Sequence, residues 1–205
     1  MAVVDADSTI EAIGDEFPKL TPFEGDSIPH LIALLDKIAS QQGEIRPVTA
    51  SFIAEAAGNY ADDDVISDHA TNGTGTALEF QNAVLRSGGG GKVVGANLSF
   101  IAATAIAATS ELQLFSQVPT ATELDDNAAS GGVGAADTPY YLGMIAFAAG
   151  TDVGASTFCL PATLTPAAPL MIRAGVTSIF GRLIFRDAET NETASMVVQI
   201  TLYIE

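Results

Sequence analysis

The sequence has few basic residues. Eight Lys and Arg stand against 25 Asp and Glu, which gives a formal net charge of −17, and the basic residues are scattered singly along the chain. Proteins that bind DNA or RNA neutralise the phosphate backbone with clustered Lys and Arg. We therefore predict no nucleic-acid partner, and we expect the acidic balance to favour solubility at high local concentration.

Cysteine, histidine and tryptophan are also scarce. Cys159 is the only cysteine, which excludes a disulfide within the chain, and its apolar neighbours predict a buried, unreactive thiol. One cysteine and two histidines do not favour a tetrahedral zinc site. Because tryptophan is absent, a carbohydrate site built on aromatic platforms has little support.

Long apolar runs are missing from the sequence. No segment reaches the ~20 apolar residues that span a bilayer. The first residues lack the basic and apolar regions of a signal peptide. The sequence thus predicts no membrane partner.

Catalytic motifs are missing as well. His69 follows Asp68, but no Gly-x-Ser-x-Gly turn supplies a nucleophile, and adjacent residues of a strand face opposite ways. The glycine-rich segment before Lys92 departs from a phosphate-binding loop, because Lys92 is followed by Val93 rather than by Ser or Thr. We predict a protein that is not an enzyme and has no cofactor.

Acidic residues cluster in two places. One cluster is Asp62–Asp64 with Asp68, and the other is Asp125 and Asp126 beside Asn127. Such side chains can supply oxygen ligands to Ca²⁺, but neither cluster has the spacing of an EF-hand loop. Solvated loop carboxylates are the simpler interpretation, so we predict no metal site and leave a structural cation open.

Residues 1–46 differ from the rest of the chain. Proline and glycine interrupt Phe17–Asp26, which predicts an extended arm, and apolar residues at helical spacing predict an amphipathic helix over Ile28–Ala39. The apolar stripe of this helix packs either on the chain's own sandwich or on another subunit. The hypothesis of a contact with a neighbour rests on six apolar side chains: Phe17, Leu20, Phe23, Leu31, Leu35 and Ile38.

Residues 47–205 carry the pattern of a β domain. Apolar and polar residues alternate from Pro47 onward, and Met196–Glu205 shows this alternation most clearly. Turns rich in Gly, Asn and Pro separate the runs, and we expect loops at 121–139 and 150–157. The predicted fold class is all-β, a jelly-roll-like antiparallel β-sandwich preceded by the N-terminal arm and one short helix.

The order of these pieces resembles a known family. A Gly-rich segment precedes Val93–Leu98. It is followed by Glu111–Thr120, Asp125–Ala128, Tyr141–Phe147 and the Phe-Gly pair within Val176–Phe185. In this order the chain from Ser51 to Glu205 resembles the jelly-roll capsid decoration (cement) proteins of tailed bacteriophages.

The resemblance implies a structural role on a virus particle. It implies attachment to the outer surface of the capsid, with the major capsid protein as partner and a homotrimer as the assembly, and it supplies no catalytic residues. Such a protein would stabilise the head by bridging capsomers. A phage tail, collar or receptor-binding module is the alternative, and a carbohydrate-binding or carbohydrate-active domain is a third hypothesis.

Overall fold

A computed structural model describes nine segments of the chain: residues 45–55, 58–69, 75–83, 90–102, 106–154, 157–165, 170–172, 176–189 and 196–205. Only the backbone is described over 157–165. The predicted arm, the predicted helix over Ile28–Ala39 and the side chain of Cys159 therefore lie outside the described part of the molecule.

The described residues form an all-β fold. The strands are β1 (Arg46–Ile53), β2 (Val65–Ile66), β3 (Leu78–Phe80), β4 (Gly91–Ile101), β5 (Ser110–Phe115), β6 (Tyr141–Phe147), β7 (Thr151–Gly154), β8 (Thr157–Thr165), β9 (Leu170–Ile172), β10 (Ile179–Phe185) and β11 (Val197–Ile204). One 3-10 helix, Thr138–Tyr140, precedes β6. Every strand pairing is antiparallel, and the predicted β-sandwich is confirmed.

Two sheets share one strand. The first sheet has the order β1-β11-β4-β8, and the second has the order β8-β6-β5-β10-β2. Residues 157–161 of β8 pair with β4, whereas residues 162–165 pair with β6. The strand changes sheets directly after Pro161, a residue that cannot donate to a strand ladder. The short strands β3, β7 and β9 pair with β10, β8 and β4 respectively.

The core lies between the two sheets. On β11, Val198, Ile200, Leu202 and Ile204 are buried, as the alternation in the sequence predicts. The second sheet presents a matching inner face, and Gly181 makes the packing possible there. A Cβ on Gly181 would lie 2.9 Å from Cδ1 of Leu112 and 3.1 Å from Cε2 of Phe80, both of which are fully buried. The aromatic side chains of this core include Tyr60, Phe80, Phe100, Phe147 and Phe185.

The predicted loop over residues 150–157 is wrong. Within this range Thr151–Gly154 form β7 and Thr157 begins β8, and the two strands pair with each other. All four residues of β7 are exposed. A strand that buries neither face has no reason to alternate apolar and polar residues, so the pattern could not reveal it. The long loop predicted over 121–139 contains no strand.

This long loop covers the outer face of the second sheet, where Arg182 of β10 holds it. Arg182 is 2% exposed. Its Nη1 donates to the carbonyl oxygens of Glu123 at 3.1 Å and Ser130 at 2.7 Å, and its Nη2 donates to the carbonyl oxygen of Gly132 at 2.9 Å. Nη2 also donates to Oε1 of Gln113 at 2.6 Å. One guanidinium thus joins the loop to β5.

A second arginine continues this polar network. Nη2 and Nε of Arg186 donate to Oε2 of Glu111 at 2.8 and 3.0 Å, and Nη1 forms an ion pair with Asp63. Oε1 of Glu111 accepts a hydrogen bond from Nε2 of Gln113 at 2.8 Å. Burial and the nearby charge of Arg186 lower the pKa of Arg182 to about 10, so Arg182 remains a cation at neutral pH.

We expect Arg182→Met to lower the free energy of unfolding by roughly 3 kcal/mol, because it leaves buried carbonyl groups without a donor. Arg46→Met is the matched control. Nη2 of Arg46 also donates to two backbone carbonyl oxygens, those of Asn82 and Ala83, but these bonds are exposed or only partly buried, so we expect a loss of about 1 kcal/mol. Urea denaturation of both variants measures the difference. Equal losses would show that Arg182 has no special role in holding the loop.

Candidate interaction surface

The six side chains predicted to contact a neighbour lie outside the described residues. They are Phe17, Leu20, Phe23, Leu31, Leu35 and Ile38. The contact that they were predicted to make stays a prediction. The described candidate sites all lie on the sandwich.

The Asp68–His69 pair lies on an exposed turn after β2. Nδ1 of His69 is 3.4 Å from Oδ2 of Asp68, and more than half of the His69 side chain is exposed. The carboxylate of Asp68 accepts hydrogen bonds from the backbone N–H and hydroxyl of Thr76 at 3.0 and 2.6 Å, and from the hydroxyl of Ser67 at 3.1 Å. Asp68 therefore ties the turn to the segment before β3.

Lys92 has a structural partner. Its Nζ lies 3.0 Å from Oε2 of Glu205, and the backbone groups of the two residues exchange hydrogen bonds of 2.9 Å. Lys92 thus fastens the last strand to β4. This contact explains why a lysine follows the glycine-rich segment without forming a phosphate-binding loop.

The acidic clusters organise loops around β2. Asp64 accepts a hydrogen bond from the N–H of Ala61 at 2.6 Å, and Asp125 accepts one from the N–H of Gly75 at 2.8 Å. Asp126 accepts hydrogen bonds from the N–H of Ser67 at 2.8 Å and the hydroxyl of Tyr60 at 3.0 Å. In the part of the chain that the structure describes, no group of three His, Cys, Asp or Glu is arranged to hold a metal ion.

Other buried carboxylates also accept hydrogen bonds from the backbone of loops. Asp137 accepts hydrogen bonds from the N–H groups of Thr120 and Ala121 and from the hydroxyl of Thr122. Burial acts to raise the pKa of Asp137, but these hydrogen bonds outweigh it and hold the pKa below its ordinary value. Glu189 accepts from two successive N–H groups, those of Ala107 and Ala108.

Asp126 responds in the opposite way. Burial raises its pKa to about 6, and the hydrogen bonds from Ser67 and Tyr60 offset only part of that effect. Asp64 and Glu55 add negative charge nearby. The folded protein therefore destabilises the ionised form of Asp126 relative to the protonated form.

On the outer face of the first sheet, four successive rows of residues across β1, β11 and β4 carry no charged side chain. The strand registers place four rows of three residues on this face. All of them are exposed or half-buried. We call this set the neutral face, and its rows are Ile53–Val197–Ile101, Ser51–Gln199–Ser99, Thr49–Thr201–Asn97 and Pro47–Tyr203–Gly95.

Side-chain contacts confirm that these residues share one surface. The hydroxyl oxygens of Thr49 and Thr201 lie 2.9 Å apart, and a Cβ on Gly95 would meet the ring of Tyr203 at 3.5 Å. One end of the neutral face is apolar, with Ile53 59% and Ile101 51% exposed. The ion pair between Lys92 and Glu205 borders the other end.

The sequence analysis missed the neutral face. The polar positions of Met196–Glu205 were visible in the sequence, but their neighbours on β1 are more than 140 residues away along the chain. Only the register between β1, β11 and β4 shows that the uncharged positions of these three strands lie side by side on one face. The available signal was the absence of charge at alternate positions of each strand.

No protein-family model and no curated protein matches the chain. The resemblance to phage decoration proteins therefore stays a prediction. Within the described residues, no helix has the length and apolar character needed to cross a membrane.

The raised pKa of Asp126 predicts a pH effect on stability. Between about pH 4 and 6 the folded protein binds more protons at Asp126 than the unfolded chain, so this group's contribution to stability falls as the pH rises through that window. This contribution makes the free energy of unfolding smaller at pH 7 than at pH 5. We expect Asp126→Asn to remove the contribution, and urea denaturation at both pH values measures the change.

Asp137→Asn is the control for this pH effect. The pKa of Asp137 is lowered, so its contribution is present at both pH values and is lost only below about pH 4. Asp137→Asn should lower stability at pH 5 and pH 7 alike. An unchanged pH dependence in Asp126→Asn would contradict the assignment.

Proposed function

We propose that this chain is a structural, non-catalytic protein of a tailed-phage particle, which attaches to the outer surface of the capsid and bridges capsomers. The neutral face is the observation on which the proposed contact rests. The sequence resemblance to decoration proteins supplies the kind of particle.

The neutral face suits contact with another protein because burying it leaves no charge unpaired. A buried charge without a partner costs several kcal/mol, and the cores of protein interfaces are depleted in charged residues. In a chain with 25 acidic residues, an uncharged surface across three strands is the part that another protein can cover most readily. Ile53, Ile101 and Tyr203 supply apolar surface within it.

The dimensions of the neutral face favour attachment in several copies. Four rows along the strands span about 20 Å, and three strands span about 10 Å between their axes. This area is below the ~800 Å² that each partner buries in a standard interface. A homotrimer would present three such faces, and linked contacts raise the overall affinity without a larger interface on each copy.

The first test is the place and number of this chain on particles of the phage or prophage that encodes it. Quantitative mass spectrometry of purified particles should find hundreds of copies per head, with the chain retained on tailless heads. A few to dozens of copies, retained with isolated tails, would instead support the tail or collar role and refute attachment to the capsid.

A substitution at the centre of the neutral face tests the contact surface. Gln199 is exposed between Ser51 and Ser99, and we expect both Gln199→Arg and Gln199→Glu to weaken binding to capsids at least about tenfold, because either charge would be buried without a partner. Co-sedimentation of the purified variants with heads that lack the protein measures binding.

Gln117→Arg is the matched control, since Gln117 is equally an exposed glutamine but lies outside the neutral face, in the connection that follows β5. It should bind like the unmodified protein. Opposite effects of Gln199→Arg and Gln199→Glu would mean that long-range charge, and not burial of the neutral face, governs attachment.

A further inference from the structure

Strand β1 has an open edge. Among the described residues it forms the border of the first sheet and pairs with β11 alone. An edge strand with free backbone groups can accept a further strand from another chain, and natural proteins usually protect such edges.

The register shows which backbone groups point outward. The N–H of Ala54 donates to the carbonyl oxygen of Met196, which identifies this pair as a hydrogen-bonded one. Because such pairs alternate along an antiparallel ladder, Val48, Ala50 and Phe52 also bond to β11. The N–H and C=O groups of Thr49 and Ser51 therefore point away from the sheet, and none of the described residues bonds to them.

The open edge forms one wall of a groove of about 600 Å³. The opposite wall consists of the segment Thr76–Asn82, which includes β3. Both ends of the edge are fixed to the second sheet. Nη2 of Arg46 donates to the carbonyl oxygens of Asn82 and Ala83, and the N–H of Glu55 donates to the carbonyl oxygen of Ser67.

The groove is acidic. Asp68 and Glu79 line it, and neither has a Lys or Arg partner among the described residues. Asp68 is held by Thr76, and Glu79 accepts a hydrogen bond from Nε2 of Gln81 at 3.3 Å. Of the described residues that line the groove, Arg46 is the one arginine, and its Nη2 donates to backbone carbonyl oxygens. A basic side chain placed in the groove would meet two carboxylates.

We propose that the edge of β1 binds an extended, basic segment of a partner protein, which adds as a further strand beside Thr49–Ile53. Main-chain hydrogen bonds to Thr49 and Ser51 hold the segment, and its Lys or Arg faces Asp68 and Glu79. Pro47 lacks the N–H that would extend the pairing, so the added strand begins beyond it. The edge and the neutral face share Thr49, Ser51 and Ile53, but the edge uses their backbone groups and the neutral face uses their side chains, so this inference does not depend on the capsid role.

The probe is a synthetic eight-residue peptide that alternates threonine and valine and carries one central lysine. Its binding to the full chain is measured by fluorescence anisotropy and by amide hydrogen exchange. We expect the peptide to slow exchange of the Thr49 and Ser51 amides. A peptide with glutamate in place of lysine should bind about threefold more weakly, and Glu79→Gln should remove most of that preference.

Two changes test the main-chain pairing separately from charge. Methylation of alternate peptide nitrogens removes the donors that face β1, and Ser51→Pro removes an outward N–H without breaking the ladder to β11; each should weaken binding about tenfold. The methylated peptide tests the unmodified protein, so the result stands even if Ser51→Pro fails to fold. Equal binding of methylated and parent peptides, or unchanged exchange at Thr49 and Ser51, would overturn the proposal.

Discussion

The shared strand β8 is the constraint from which the surfaces of this sandwich follow. Its first half completes the sheet of β1, β11 and β4, and its second half begins the sheet of β6, β5 and β10. One side of the sandwich is thus joined by a continuous strand. On the other side the sheets end at β1, β2 and β3, so among the described residues the first sheet retains a free edge beside β3. Both proposed contact surfaces lie on this first sheet.

Some of the acidic residues have a structural role inside the fold. Asp126, Asp137 and Glu189 are buried, and each accepts hydrogen bonds from backbone N–H groups of loops that have no sheet partner. Buried backbone groups must be satisfied, and in long connections side chains replace the ladder. Arg182 performs the complementary task for carbonyl groups. Asp126, which the sequence offered as a possible cation ligand, is therefore part of the framework.

Local periodicity predicted the sandwich because alternation is a property of each strand by itself. The alternation in Met196–Glu205 predicted both the strand and its buried face. The exposed strand β7 was not predicted, because neither of its faces is buried. The neutral face and the open edge could not be predicted from the sequence, because they depend on pairings such as Arg46 with Ile204, which join distant parts of the chain. The importance of Arg182 was hidden for the same reason: its partners come from β5 and the long loop.

The central claim is that the neutral face, rather than the loop-covered face, contacts a partner protein. Tyr203 and Tyr140 offer an internal comparison, because they are 38% and 39% exposed on the neutral face and beside the long loop respectively. Hydroxyl-radical labelling of the free protein and of the protein attached to particles measures both tyrosines at once. The account predicts that attachment protects Tyr203 from oxidation and leaves Tyr140 unchanged. Protection of Tyr140 with Tyr203 still reactive would contradict it.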